Sequence, residues 1–256
     1  MDRKLARLPY KNIISGAVLS LFCCWATANN LPTITAQAWL VADDKGKIIE
    51  GVNTTDVRSI ASITKLMTAM VVLDQNQSLT EVIPKKLYNR SLTRQTLIDL
   101  AIVKSDNNAA KMLCDYYPGG FNACVEAMNQ KALSLGMLSS RFTDPTGRMH
   151  SNESTAEDLI KLVFAASNYP VIVEASNMDA VRWTVTKKKV AEFRNTNSLV
   201  GKGYKFLVSK TGFISKAGGC IVMMLDTNHG IRTVVLLGSR NTKTRIPEAQ
   251  TLALSY

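Results

Sequence analysis

The sequence predicts an α/β protein with one antiparallel sheet built from both ends of the chain and a helical part inserted between them. Three observations carry this. Short apolar runs bounded by turn residues lie at 36–52 and return between 181 and 238. Between these, residues 62 to 164 hold apolar side chains at helical spacing. No repeat or low-complexity linker divides the chain, and its 46 % apolar content suits one sizeable core. Residues 29–256 therefore read as a single domain, with the helical insert at about 76–165.

Residues 1–28 have the pattern of a secretory signal. Arg3, Lys4, Arg7 and Lys11 form a charged start, Ile13 to Trp25 an apolar run, and Ala26-Thr27-Ala28 a small-residue cleavage site. The run is shorter than the ~20 residues that span a bilayer. The expected location is therefore the periplasm, after cleavage. These residues hold four bases and one acid, so the chain after them keeps +8 of the total +11. Such an excess attracts anionic polymers or membrane surfaces loosely. Nucleic acid is not expected as a partner, because the bases are scattered and only Lys187-Lys188-Lys189 forms a run, read as a solvated turn.

Ala36 to Ala42 and Lys47 to Val52, joined through Asp43-Asp44-Lys45-Gly46, read as a hairpin. A helix follows Ser62, with Leu66, Met67, Ala69, Met70, Val72 and Leu73 as dense apolar cover. Ser91-Leu-Thr-Arg94 reads as the opening of a second helix, which Lys104-Ser-Asp-Asn-Asn108 interrupts before Ala109 to Tyr116. Phe121 to Leu135 is a helix stopped by Gly136. Phe142-Thr-Asp-Pro-Thr-Gly147 is turn-rich, and Ser154-Thr-Ala-Glu157 reads as a capping box before Leu159 to Phe164. Strands are expected at 181–186, 190–193, 204–209, 219–225 and 231–238, then a closing helix at 242–255. Cys114 and Cys124 flank the turn Tyr117-Pro-Gly-Gly120. An exported chain permits a disulfide there, and two buried thiols remain the alternative. Cys220 reads as a small apolar strand residue.

Three short motifs carry chemistry. In Ser62-Ile-Thr-Lys65 the two polar side chains stand one helical turn apart, so an amine can take the proton of a weakly nucleophilic hydroxyl. Alone this means little, since Ser-x-x-Lys arises by chance about once in such a chain. Ser105-Asp106-Asn107 places polar groups between two apolar helices, where a helix cap is the plain explanation. Lys210-Thr211-Gly212 follows a strand, and by chance it is expected only ~0.06 times. A cation, a hydroxyl and a residue that allows close backbone approach suit a carboxylate ligand.

In this order the motifs resemble the signature of penicillin-binding proteins and serine β-lactamases. The flanks Arg58 to Thr68, Phe142 to Gly147 and Ser154 to Asp158 are similar to the low-molecular-mass D-alanyl-D-alanine peptidase family. Arg194 to Val200, Lys210 to Phe213 and Ala217 to Cys220 are most similar to its endopeptidase branch, the penicillin-binding protein 7 type. The resemblance covers residues 35–240 and implies the β-lactamase/transpeptidase-like fold. It implies that Ser62 is acylated, that Lys65 is the base and that Ser105 relays a proton to the leaving amine. It further implies that Asn107 binds the substrate amide and that Lys210, Thr211 and Gly212 form the carboxylate site. The backbone N–H groups of Ser62 and Phe213 would form the oxyanion hole. For Lys65 to act near pH 7 its pKa must fall by about 3 units, with burial and the like charge of Lys210 as causes. The implied partners are peptidoglycan stem peptides and covalent β-lactam inhibitors. No cofactor and no metal is expected.

Other readings fit less well. The Glu-x-x-Leu-Asn string that class A β-lactamases use for deacylation does not occur. His150 and His229 are the only histidines, and both read as surface residues, against a histidine-dependent hydrolase or a zinc site. A non-catalytic penicillin-binding sensor would not need Lys65, Ser105 and Asn107 intact. A D-alanyl-D-alanine carboxypeptidase is the alternative within the family. The 44 residues after Gly212 suffice for the sheet and one helix, so no added β-domain is expected.

Overall fold

A computed structural model describes residues 33–186 and 189–256. The signal segment 1–28, with Cys23 and Cys24, and the pair Lys187-Lys188 lie outside the described residues.

The main sheet contains β1 (Ala38–Ala42), β2 (Ile48–Val52), β9 (Phe206–Ile214), β10 (Gly218–Thr227) and β11 (Gly230–Ser239). Their order is β2-β1-β11-β10-β9, and every neighbouring pair is antiparallel. Strands from both chain ends thus share one sheet. Its central strands read as continuous apolar runs because both faces are covered. Period-two alternation then divides them. Val222, Met224, Val235 and Leu237 enter a core shared with the helical part. Ile221, Met223, Val234 and Leu236 pack with Leu252 and Ala253 of α7 (Arg245–Ser255) on the other face.

The helical part comprises α1 (Thr64–Asp74), α2 (Arg94–Asp99), α3 (Asn107–Asp115), α4 (Gly120–Ser134), α5 (Ala156–Ala166) and α6 (Pro170–Asn177). Residues Thr64 to Val72 of α1 are all buried. A helix apolar on every side belongs at the centre of a core, and α1 carries Lys65 there. Helix α6 has Pro170 in its first turn, where the N–H that proline lacks would have no intrahelical partner.

Three local readings need correction. Ser91 and Leu92 do not open a helix. They belong to β5 (Arg90–Thr93), which pairs with β4 (Val82–Leu87). The tight turn between them places Tyr88 and Asn89 at positive φ (54° and 61°), as a two-residue hairpin demands. The helix starts at Arg94, capped by Thr93 Oγ1, which accepts from Thr96 N at 3.2 Å. The cap of α5 is Thr155, accepting from Asp158 N at 3.1 Å, one residue later than the capping-box reading. Glu157 instead accepts from Thr54 Oγ1 at 2.6 Å. Finally, Lys210-Thr211-Gly212 does not follow its strand but lies inside β9.

Two small sheets complete the fold: β7 (Ala180–Thr186) with β8 (Lys189–Arg194), and β3 (Arg58–Ser59) with β6 (Glu153–Ser154). Cys114 and Cys124 are bonded, with Cα atoms 5.3 Å apart. Cys220 is a buried free thiol. Among the described residues no single helix is long and apolar enough to cross a membrane.

Candidate active site

Ser62 sits in a 3-10 turn, Ala61–Ile63, directly ahead of α1. This turn packs against β9, and the contact needs residues without side chains. A Cβ on Gly212 would stand 2.9 Å from Ser62 N and 3.0 Å from Ala61 Cβ. From the other side, a Cβ on Gly147 (φ +73°) would stand 1.8 Å from Ala61 O. Two glycines thus fix the backbone that presents Ser62.

Lys65 Nζ lies 2.7 Å from Ser62 Oγ, 2.8 Å from Asn107 Oδ1 and 2.5 Å from the carbonyl oxygen of Thr146. Its side chain has no solvent exposure. Burial pushes its pKa down to about 7, although Asp144 and Asp106 pull the other way. A neutral amine has two N–H donors and one lone pair. Asn107 Oδ1 and Thr146 O take the donors, which leaves the lone pair for the hydroxyl proton of Ser62.

Asn107 is the first residue of α3. A π-helical turn, Leu100–Lys104, ends at Ser105, which adopts a left-handed conformation (φ 60°). This reversal starts a new helix in a new direction. Asp106 caps it by accepting from Ala109 N at 2.9 Å. The Asp106 carboxylate also accepts from the Tyr88 hydroxyl. The cap is therefore Asp106, while Asn107 contacts Lys65 and Ser105 supplies the left-handed turn between the two helices.

Lys210 and Thr211 are recessed, at 1 % and 2 % exposure. Lys210 Nζ donates to Thr211 O at 2.9 Å, and Thr211 Oγ1 donates to Thr196 Oγ1 at 2.7 Å. Burial holds the Lys210 pKa well below the usual lysine range, and the charges of Lys65 and Arg245 lower it further. Burial is the largest cause of the lowered pKa at both lysines, and the like charges of the pair oppose each other. Arg245 from α7 braces the strand by donating to Gly212 O at 2.5 Å. Phe213 is 44 % exposed at the rim. Lys65 thus contacts both Ser62 and Asn107, with Gly212 packed against the Ser62 backbone and Lys210 close enough to sense the Lys65 charge.

Sequence reasoning missed the loop that supports this centre. Asp144 Oδ1 accepts from Thr146 N, Thr146 Oγ1 and Gly147 N at 2.6, 2.5 and 3.0 Å. Asn152 bonds to Thr143 N, Asp144 O and Thr64 Oγ1, tying the loop to the start of α1. The string Asp-Pro-Thr-Gly was visible as a turn, but its aim at Lys65 was not. Thr196 lies in the stretch Arg194 to Val200 that carries part of the resemblance, but its bond to Thr211 was not visible there, and Arg245 at the start of α7 gave no signal, because each meets β9 only in the folded chain. Among the described residues no group of His, Cys, Asp or Glu is arranged to hold a metal ion.

A buried lysine poised on a serine, beside an antiparallel strand with a recessed cation, defines a serine-type hydrolase. Residues 25–241 match the D-alanyl-D-alanine carboxypeptidase family. The chain is 37 % identical over 244 residues to a D-alanyl-D-alanine endopeptidase of Escherichia coli, covering 89 % of this chain and 79 % of that one. A D-alanyl-D-alanine endopeptidase of Pseudomonas aeruginosa is also 37 % identical, covering 85 % and 76 %. The fold is similar to that of penicillin-binding protein D2 from Listeria monocytogenes in its cefotaxime-bound form. That match has a TM-score of 0.73 and 26 % identity, and covers 86 % of this chain and 96 % of the other. The chain belongs to the D-alanyl-D-alanine carboxypeptidase family of serine peptidases.

Proposed function

We propose that the protein is a penicillin-sensitive DD-endopeptidase that hydrolyses D-Ala–diamino acid cross-links between peptidoglycan stems through an acyl-enzyme on Ser62. The observation that carries the chemistry is the 2.7 Å contact between Ser62 Oγ and a fully buried Lys65 Nζ whose pKa lies near 7. The endopeptidase choice rests on the two relatives of that name.

Neutral Lys65 takes the Ser62 proton as Oγ bonds to the D-Ala carbonyl carbon. The carbonyl electrons move to oxygen, which the N–H groups of Ser62 and Phe213 stabilise. Each such donor is typically worth about 3 kcal/mol in the transition state. The C–N bond then breaks and the leaving amine takes a proton through Ser105. Water hydrolyses the Ser62 ester by the reverse relay. Asn107 orients the substrate amide and at the same time holds Lys65. The α-carboxylate of the leaving diamino acid replaces the internal bonds of Lys210 and Thr211, which become its cation and hydroxyl. A β-lactam enters the same centre and stays as the ester. The site of action is the periplasm, reached by cleavage after Ala28, and the basic surface favours loose attachment to the anionic sacculus.

The second reading is a D-alanyl-D-alanine carboxypeptidase, favoured by the family match itself. The test uses equal enzyme on a dimeric muropeptide and on a monomeric pentapeptide, with products resolved by chromatography. The expected outcome is faster formation of monomer from dimer than release of free D-alanine. The opposite order leaves a carboxypeptidase. Labelled penicillin mapped to any residue but Ser62 refutes the mechanism.

A further inference from the structure

Tyr88 occupies a position that its own shape argues against. It is the first of the two turn residues between β4 and β5, at φ 54°. Such turns favour Asn, Asp or Gly, and a bulky residue at positive φ is an outlier. Asn89 beside it follows the rule. Strain of this kind persists where the surroundings fix the residue for another reason.

Two sets of contacts hold Tyr88. Its hydroxyl donates to Asp106 Oδ2. Its ring centre lies 4.5 Å from that of Phe193 and 6.1 Å from that of Trp183, and those two rings are 4.7 Å apart. Trp183 and Phe193 belong to β7 and β8. Arg90 Nη1 ties the same two hairpins together by donating to Thr184 O at 2.7 Å. The hairpins thus form one brace, and Tyr88 carries it to the Ser105-Asp106-Asn107 segment.

That segment needs holding, because Ser105 is itself a non-glycine residue at positive φ (60°). Asp106 is fixed from three sides. Its N–H donates to Leu100 O at 3.0 Å, Oδ1 accepts from Ala109 N at 2.9 Å, and Oδ2 accepts from Tyr88. The first two bonds belong to the junction of the π-helical turn with α3. Capping does not require the third, which joins an aromatic brace to the residue between Ser105 and Asn107. Asn107 in turn meets Lys65 Nζ at 2.8 Å.

We propose that Tyr88 is a positioning residue for acylation: through the Asp106 carboxylate it keeps Ser105 and Asn107 in register with Lys65. This rests on the Ser62 mechanism above and adds to it a residue outside the three motifs. The bond has an electrostatic side as well. The charged groups that act on Lys65 are the carboxylates of Asp106 and Asp144, and from β9 it faces Lys210, with Arg245 of α7 behind. A hydroxyl donated to Asp106 disperses one of the two negative charges.

The test is stopped-flow acylation by a saturating labelled penicillin between pH 5 and 9. Active sites are counted from the final label, so misfolded protein does not enter the rates. Tyr88→Phe keeps the ring and loses only the hydroxyl, so its Tm should fall by less than about 4 °C. Its limiting rate should fall about tenfold, the size of a lost charge-assisted hydrogen bond. Its pH midpoint should move above that of wild type, because the Asp106 charge is then less dispersed. Asp106→Ser keeps a capping residue that is too short to reach Tyr88 as well. It removes the charge and should move the midpoint below that of wild type. In that background Tyr88→Phe should have no further effect on rate or midpoint. A purely structural role would lower the Tm and the count of active sites but leave the midpoint in place. Three results overturn the inference and leave the Ser62 mechanism standing. They are a wild-type rate and midpoint in Tyr88→Phe, a midpoint that does not fall in Asp106→Ser, and an undiminished effect of Tyr88→Phe in the Asp106→Ser background. Wild-type protein that takes no label on Ser62 overturns both.

Discussion

Lys65 shows how a single residue takes its chemistry from its surroundings. An exposed lysine titrates near 10.5, and full burial in α1 brings this one to about 7. That difference corresponds to about 5 kcal/mol between the two protonation states. The active form is neutral, so acylation by a labelled penicillin should rise as pH passes through about 7 and level off above it. A flat profile from pH 5 to 9, measured by stopped-flow labelling, would remove Lys65 as the base. The stability effect has a definite sign too. Between about pH 7 and 10.5 the unfolded chain holds this proton and the folded chain does not. This group therefore makes stability rise with pH across that window. Lys65→Arg keeps the charge and should abolish labelling at pH 7, since guanidinium does not deprotonate in proteins.

Gly147 is the other residue with a sharp expectation. At φ +73° an added Cβ would overlap Ala61 O at 1.8 Å, and a backbone atom cannot swing aside as a side chain can. Gly147→Ala should lower stability by about 3 kcal/mol or more and slow Ser62 labelling in the protein that still folds. For a domain of this size that is a fall in Tm of roughly 6–12 °C. Wild-type Tm and labelling would mean that Ala61 and Ser62 are not held from this side.

Among the elements, α3 and α4 meet through Cys114–Cys124 across ten residues of chain. Removing the link by a Cys114→Ala, Cys124→Ala double change should cost about 2–3 kcal/mol on the chain-entropy model, read as a shift in the urea midpoint. An unchanged midpoint would show that the denatured chain is already compact there. Because α3 begins at Asn107, the same change should weaken penicillin labelling less than it weakens stability. The elements also show where local sequence patterns mislead. The β4–β5 hairpin contains Pro84, Lys85 and Lys86, so it lacks the apolar alternation that announces a strand. It exists because Ile83, Leu87 and Leu92 dock on the main core. Helix α1 was legible because its apolar cover needs no partner to be recognised.

For the molecule as a whole, net charge is the property that reaches furthest. A chain at +11, or +8 after residue 28, is expected to bind isolated sacculi. Retention should fall steeply between 50 and 300 mM salt, as the screening length drops from about 14 to about 6 Å. Salt-independent retention in a sedimentation assay would point to a shape-specific contact instead.

The sequence by itself determined the three motifs, their order, the strand runs at both ends and the buried helix after Ser62. These are local patterns, set by side-chain period and by rare residue strings, so they survive without coordinates. Only the tertiary structure decided that Lys210 lies within a strand, that Thr146 O and Asn107 hold Lys65 and that Arg245 braces Gly212. Each of these joins residues far apart in sequence, and packing against the sheet selects them where no local preference does. The charge state of Lys65 belongs with them, because it follows from how completely the folded chain excludes water from one amine.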